Sequence, residues 1–326
     1  MDEQRLQAYL NLIQSLLNCS SGEENQILQA NSELVDAGLV QVMQLVAENQ
    51  REEGNENAAN FLTNLANQLA EWLKKSSANS QLRFLMQLLQ ATQDSDGDPN
   101  VIYPLMRDNI NLINDNLAAI FQDWAWGNLP NLDSQEGRFS LMVVVGTFSD
   151  SIAQFTLGSR ASNLEVAIAG YELALTVFTH QEYAEIWAGI QNSLANAYRD
   201  RIRGEKADNL EMAISAYQAV LSVFTREAFP QDWAMIQNNL AAAYINRIRG
   251  EKADNLEMAI SACQAAFSVC TREAFPQEWA MIQNTLGIAY SDRIRGEKAD
   301  NLEMAISAFQ AALSVRTREA FPQDWA

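Results

Sequence analysis

The side chains in this 326-residue chain with chemistry of their own are few: one histidine, His180, and three cysteines, Cys19, Cys263 and Cys270. So sparse a set supplies neither a disulfide framework nor a Cys/His zinc cluster. Cys263 and Cys270 are seven residues apart in a segment of helical pattern, which separates them by roughly 10 Å along the axis, beyond disulfide reach. No histidine lies near them in sequence to activate a thiolate. Asp94, Asp96 and Asp98 in DSDGDPN suggest a calcium loop, yet Pro99 and Leu105 stand where such a loop needs glycine and glutamate. A solvated turn before a helix is the expectation there. Arg201, Arg203, Arg247, Arg249, Arg293 and Arg295 recur in RIRGEK and could form a basic ridge for an acidic partner or RNA. Against RNA stands a net charge of −19, from 41 acidic and 22 basic side chains, which repels polyanions and anionic membranes. Helix-end capping and inter-repeat ion pairs, with Glu205, Glu251 and Glu297 alongside, account for the ridge. Glycine-rich phosphate loops and serine nucleophile elbows are not found, so no catalytic residue, metal or cofactor is expected.

The elements that would position any site repeat. Trp187, Trp233, Trp279 and Trp325 fall every 46 residues, as do Asn163, Asn209, Asn255 and Asn301 and the glycines Gly158, Gly204, Gly250 and Gly296. A period in this range signals a stacked array. Units are read at 163–208, 209–254 and 255–300, with a partial unit at 301–326; the second and third differ at only ten of 46 positions. His180 stands in register with Arg226, Arg272 and Arg318, as an ordinary surface position, and Cys263 and Cys270 take the core places of Tyr217 and Phe224.

Each unit holds two helical patterns. Leu210, Ala213, Ile214, Tyr217, Val220, Leu221 and Phe224 recur at spacings of three and four, one apolar stripe of a helix. Asp208 and Glu211 are expected to form a capping box at its start. The second pattern opens at Pro230 and runs through Trp233, Ile236, Leu240, Tyr244 and Ile248 to Gly250. Each helix has one apolar side, so only stacking builds a continuous core, which is the logic of an α-solenoid. The segment 138–157 lies one period earlier and reads as a degenerate second helix opening the array. An all-α chain follows, with an N-terminal helical domain at 1–135 and the array at 136–326. In the former, helices are expected at 3–18, 24–34, 37–51, 56–75, 80–92 and 100–127, broken at SSGEE, REEGNEN, SSANS and DSDGDPN. This domain is expected to pack against or cap the array.

The segments WAMIQNNLAAAY (233–244) and NLEMAISACQAA (255–266) resemble the tetratricopeptide repeat, with Leu240, Ala241, Tyr244, Ala259 and Ala266 at its bulky and small positions. The unit departs from that repeat by its length, 46 residues, the excess lying in RIRGEKADN and TREAFPQD. The wording resembles the extended arrays of cyanobacterial proteins that often precede a CHAT domain, a caspase-like protease module. That resemblance covers nearly the whole chain, without a CHAT module. It implies a protein or peptide ligand held in the inner groove of the superhelix. Carrying its groove positions onto this chain selects Gly189, Asn192, Asn196, Arg199 and Asp200, then Met235, Asn238, Ala242, Ile245 and Asn246, then Met281, Asn284, Ile288, Ser291 and Asp292. Three of the ten inter-unit differences fall on this stripe, Ala242/Ile288, Ile245/Ser291 and Asn246/Asp292, as ligand-directed variation or as drift on an exposed face. Asn192, Asn238 and Asn284 form a ladder whose amides can pair with an extended backbone or can satisfy neighbouring helices.

The expectation is a non-catalytic scaffold for protein interaction, cytoplasmic, binding neither nucleic acid nor membrane. The longest apolar runs, such as LMVVV at 141–145, are far short of the roughly 20 residues a membrane span needs, and the acidic N-terminus is unlike a secretory signal. Two alternatives stand beside it. The chain is the sensing part of a larger caspase-like protease, or it self-associates through an uncapped C-terminal repeat, where Leu302, Ile306, Phe309 and Leu313 lack their next partner.

Overall fold

The computed structural model describes residues 3–20, 22–132 and 134–317; the expected features at 318–326, Arg318 and Trp325 among them, lie outside the described residues. The described residues are all-helical, with no strand. None of their helices is long and apolar enough to cross a membrane. The chain divides into two compact units, Met1–Arg83 and Phe84–Ala326, and not at the expected boundary of 135/136.

The first unit holds α1 (Glu3–Asn18), α2 (Glu24–Ala30), α3 (Ala37–Glu52) and the beginning of α4 (Glu56–Ser95). Its core is built from Tyr9, Leu16, Leu39, Met43 and Leu62, all nearly inaccessible to solvent. The expected break at SSANS does not occur. Alanine is the best helix former and serine and asparagine cost a helix only a few tenths of a kcal/mol each, so without glycine or proline the turn simply continues, with the Ser80 hydroxyl donating to the Ser76 carbonyl.

Conversely, two expected continuous helices are interrupted. At 24–34 and 100–127 an asparagine side chain donates to the carbonyl four residues back, Asn31 to Ile27 and Asn109 to Leu105. This competes with the helical ladder. A short 3-10 turn follows, and Asp36 or Asn114 then caps the next helix. The second interruption divides the region into α5 (Pro99–Asp108) and α6 (Asp115–Asn128). Asp98 accepts from the Asn100 amide at the start of α5, so DSDGDPN is a capped turn, with Gly97 at φ 82°.

The remainder of the second unit is α7 (Gln135–Gln154), α8 (Arg160–Ala174), α9 (Ala184–Asp200), α10 (Lys206–Val220), α11 (Pro230–Asn246), α12 (Lys252–Phe267), α13 (Pro276–Asp292) and α14 (Lys298–Leu313). The closest pairs are α7–α8, α9–α10, α11–α12 and α13–α14, each a hairpin across a short turn. Gly158, Gly204, Gly250 and Gly296 make those turns at φ near +75°, a conformation that side chains resist. Most of segment 138–157 lies in α7, the first helix of the α7–α8 hairpin. Upstream, α6 also packs on α8, and Phe121 of α6 meets Phe148 of α7 edge-on at 5.7 Å. These contacts lie within the second compact unit.

Each turn is pinned from within. Asn209, Asn255 and Asn301 are buried, and their amides donate to the carbonyls of Arg203, Arg249 and Arg295 at 2.8 to 2.9 Å. The arginines preceding each turn reach back 36 residues: Nε and Nη2 of Arg201, Arg247 and Arg293 donate to the carboxylates of Glu165, Glu211 and Glu257 at 2.6 to 3.0 Å. Arg249 and Arg295 pair with Asp208 and Asp254. Inter-repeat ion pairs are therefore present, with partners other than Glu205, Glu251 and Glu297. The expected capping box is absent, because α10 begins at Lys206, two residues before Asp208, and the residue at its N-cap, Glu205, makes no side-chain cap.

Candidate ligand-binding groove

Successive helices α7, α9, α11 and α13 touch one another, whereas α8, α10, α12 and α14 approach one another less closely. The first set therefore forms the more closely packed face of the array, its inner face. The expected groove residues lie on that set but fall into three environments.

Asn246, Asn284, Ile288 and Asp292 are exposed. Asn192, Asn196 and Arg199 are half-buried and engaged: Asn192 accepts from Asn239 at 3.4 Å, Asn196 from the Tyr217 hydroxyl at 2.7 Å, and Arg199 pairs with Asp200 at 2.9 Å. Asn238 and Ile245 are buried, at 5% and 7% of full exposure. Asn238 therefore cannot present its amide to a ligand in this arrangement, and its Oδ1 has no hydrogen-bond partner. The cause is the contact of α11 with α13. Thr285 stands in α13 where Asn239 stands in α11, so the inter-helix amide contact made by Asn192 is not repeated. The asparagine ladder thus runs along the packing face between inner helices.

The Asn196–Tyr217 contact belongs to a series. One period earlier Asp150 accepts from the Tyr171 hydroxyl at 2.7 Å; one and two periods later the same places hold Ala242 with Cys263 and Ile288 with Phe309. Polar acceptors stand opposite tyrosines and apolar residues opposite side chains without a hydroxyl. The Ala242/Ile288 difference therefore follows the residue beneath it. Cys263 and Cys270 are fully buried, and burial pushes the Cys263 thiol up to about 12. His180 lies edge-on to Trp187 at 4.9 Å, in the place where Arg226 and Arg272 cover Trp233 and Trp279.

An opening lies at the beginning of the array, between α7 and α9 over α8. Two adjoining cavities of about 470 and about 200 Å³ share Asp150, Tyr171 and Ser193 in their walls. The larger is apolar, walled by Met142, Val143, Phe178, Ile186 and Ile190. Gly146 and Gly189 open it: nothing lies within 4 Å of a Cβ built on either, and Met235 and Met281 occupy the later counterparts of Gly189. The smaller is polar and lies at the C-terminal ends of α7 and α9, with Arg160, Asn196 and Asp200. Burial and the neighbouring Asp150 carboxylate raise the pKa of Tyr171 above its ordinary value, so its hydroxyl stays a donor.

Of these walls only Gly189, Asn196 and Asp200 belong to the expected groove. Asp150, Arg160, Tyr171 and Ser193 were not selected, although extending the 46-residue register one step back from Asn196 leads directly to Asp150. No family model matches the chain, and no curated protein matches it.

Proposed function

We propose that the chain is a non-catalytic interaction scaffold that holds a peptide or extended protein segment against the inner face formed by α7, α9, α11 and α13. The observation that carries this reading is the unfilled cleft between α7 and α9. An array of near-repeated units has no packing reason to leave it open, since the next unit carries Met235 at the corresponding place. Protein interiors are otherwise close-packed, and a concave apolar opening with a few convergent polar groups is the usual form of a ligand site. The polar groups suit positioning more than proton transfer, because the Tyr171 hydroxyl is held protonated beside Asp150. A cytoplasmic location goes with this reading.

The test is selection of a random peptide library on the full chain, compared with the charge-inserting variant N284R/I288E on exposed inner positions and with a variant carrying equal charge changes on the outer helices. Enrichment lost only with inner-face changes supports the reading. Enrichment unchanged by every inner-face substitution, or none at all, contradicts it.

A further inference from the structure

We propose that the cleft between α7 and α9 selects a peptide carrying a lysine or arginine together with a bulky apolar side chain three or four residues away. The cation seats on Asp150, and the apolar group fills the space left by Gly146 and Gly189. This rests on the scaffold reading above and specifies the chemistry of its ligand.

Three observations lead there. First, the cleft has two chemically distinct ends on one helix face, from Met142 to Gln154, a span of about 18 Å at 1.5 Å per residue. The cation seat, Asp150, is eight residues from Met142 at the apolar end, about 12 Å, and groups three or four residues apart in an extended peptide are separated by about 10 to 13 Å at ~3.3 Å per residue, enough to reach from one to the other.

Second, the polar end favours a cation. Asp150 is exposed, and its hydrogen-bond partner is the uncharged Tyr171 hydroxyl; among the described residues it forms no ion pair. The competing cation on the wall, Arg160, turns its guanidinium onto the Ala153 carbonyl. Both α7 and α9 end here, and the C-terminal end of a helix carries partial negative charge. An acidic chain with net charge −19 attracts a basic segment at long range.

Third, both features are particular to this position in the array. One period on, Asn196 replaces Asp150 and Met235 replaces Gly189, while the acceptor-to-tyrosine contact is retained at the same 2.7 Å. The scaffold is shared, and the charge and the empty space are not.

The protein's own next unit supplies test substitutions that the fold already accommodates. D150N removes the charge and keeps an acceptor for Tyr171; G189M fills the apolar end. Random eight-residue peptides are selected on the full chain, and the enriched sequences are made synthetically and titrated by fluorescence anisotropy. The expected winners pair Lys or Arg with Leu, Phe, Trp or Met at the stated spacing. D150N and G189M each weaken them by about tenfold or more, D150N also flattens the salt dependence, and neither shifts the melting temperature appreciably. Winners without a basic residue, or affinities unmoved by both variants but abolished by N284R/I288E, overturn the selectivity and leave the scaffold reading standing. Absence of any enriched peptide overturns both.

Discussion

The ring of Phe309 occupies the space that a side chain on Gly287 would need: a Cβ there would lie 2.6 Å from the ring edge, across the hairpin of α13 and α14. One unit earlier the two places hold Cys263 and Ala241. The two differences between otherwise near-identical units are one packing event, a larger aromatic accommodated by loss of a methyl. Gly287→Ala is therefore expected to destabilise by about 1 to 3 kcal/mol through overpacking. Adding Phe309→Cys should recover part of that loss, giving a double-mutant coupling well above 0.5 kcal/mol. Urea unfolding of the two single variants and the pair measures it; strict additivity would disprove the coupling.

The pairs of Arg247 with Glu211 and Arg293 with Glu257 hold both glutamates below their ordinary value of 4.5, through hydrogen bonds from the guanidinium. A depressed carboxylate contributes stability that is present above its unfolded pKa and lost as pH falls through the folded one. The stability difference between the natural chain and E211Q/E257Q is expected to be full near neutrality, to shrink below about pH 4.5 and to close further on acidification. Thermal melts across that range read the difference directly, cancelling the background effect of titrating other carboxylates. A difference independent of pH would show that the pairs add nothing.

Asn255 is buried and bridges its turn by donating to the Arg249 carbonyl at 2.9 Å. Asn255→Ala leaves that carbonyl without its donor and is expected to cost about 1 to 3 kcal/mol. Amide exchange is the sharper readout, because loosening should concentrate in 247–256 before the array melts. Exchange that rises evenly along the chain would contradict the bridging role.

Asn238 presents the opposite case, a buried amide with an orphan Oδ1. Asn238→Leu replaces it with a side chain of similar shape and is expected to be neutral or mildly stabilising. A drop in melting temperature of several degrees would mean that the amide has a partner after all.

Cys263, fully buried with its thiol raised to about 12, should be alkylated orders of magnitude more slowly than Cys19, which is partly exposed. Mass spectrometry of a timed iodoacetamide reaction at pH 8 distinguishes them, and comparable rates would place Cys263 outside the core.

Much of the architecture was legible because repetition is written in the residues themselves. A 46-residue register with apolar side chains at helical spacing permits only stacked hairpins, and the glycines mark turns that other residues resist. The interruptions at Asn31 and Asn109 were present in sequence too, as an asparagine followed five residues later by Asp36 or Asn114, but a local amide-to-carbonyl bond leaves no trace in hydrophobic periodicity.

What only the tertiary structure decided is which face of each helix a neighbour covers. Asn192, Asn238 and Asn284 are the same letter at the same register, yet one is engaged, one buried and one exposed. Burial depends on the helix that packs next, not on the residue's own spacing. Ion-pair partners were decided in the same way: Glu205 is nearer Arg203 in sequence, but the fold delivers Asp115 to it, 88 residues away. The cleft beside Gly189 arises likewise from the approach of α7 to α9, where two glycines leave room that no single segment of sequence could disclose.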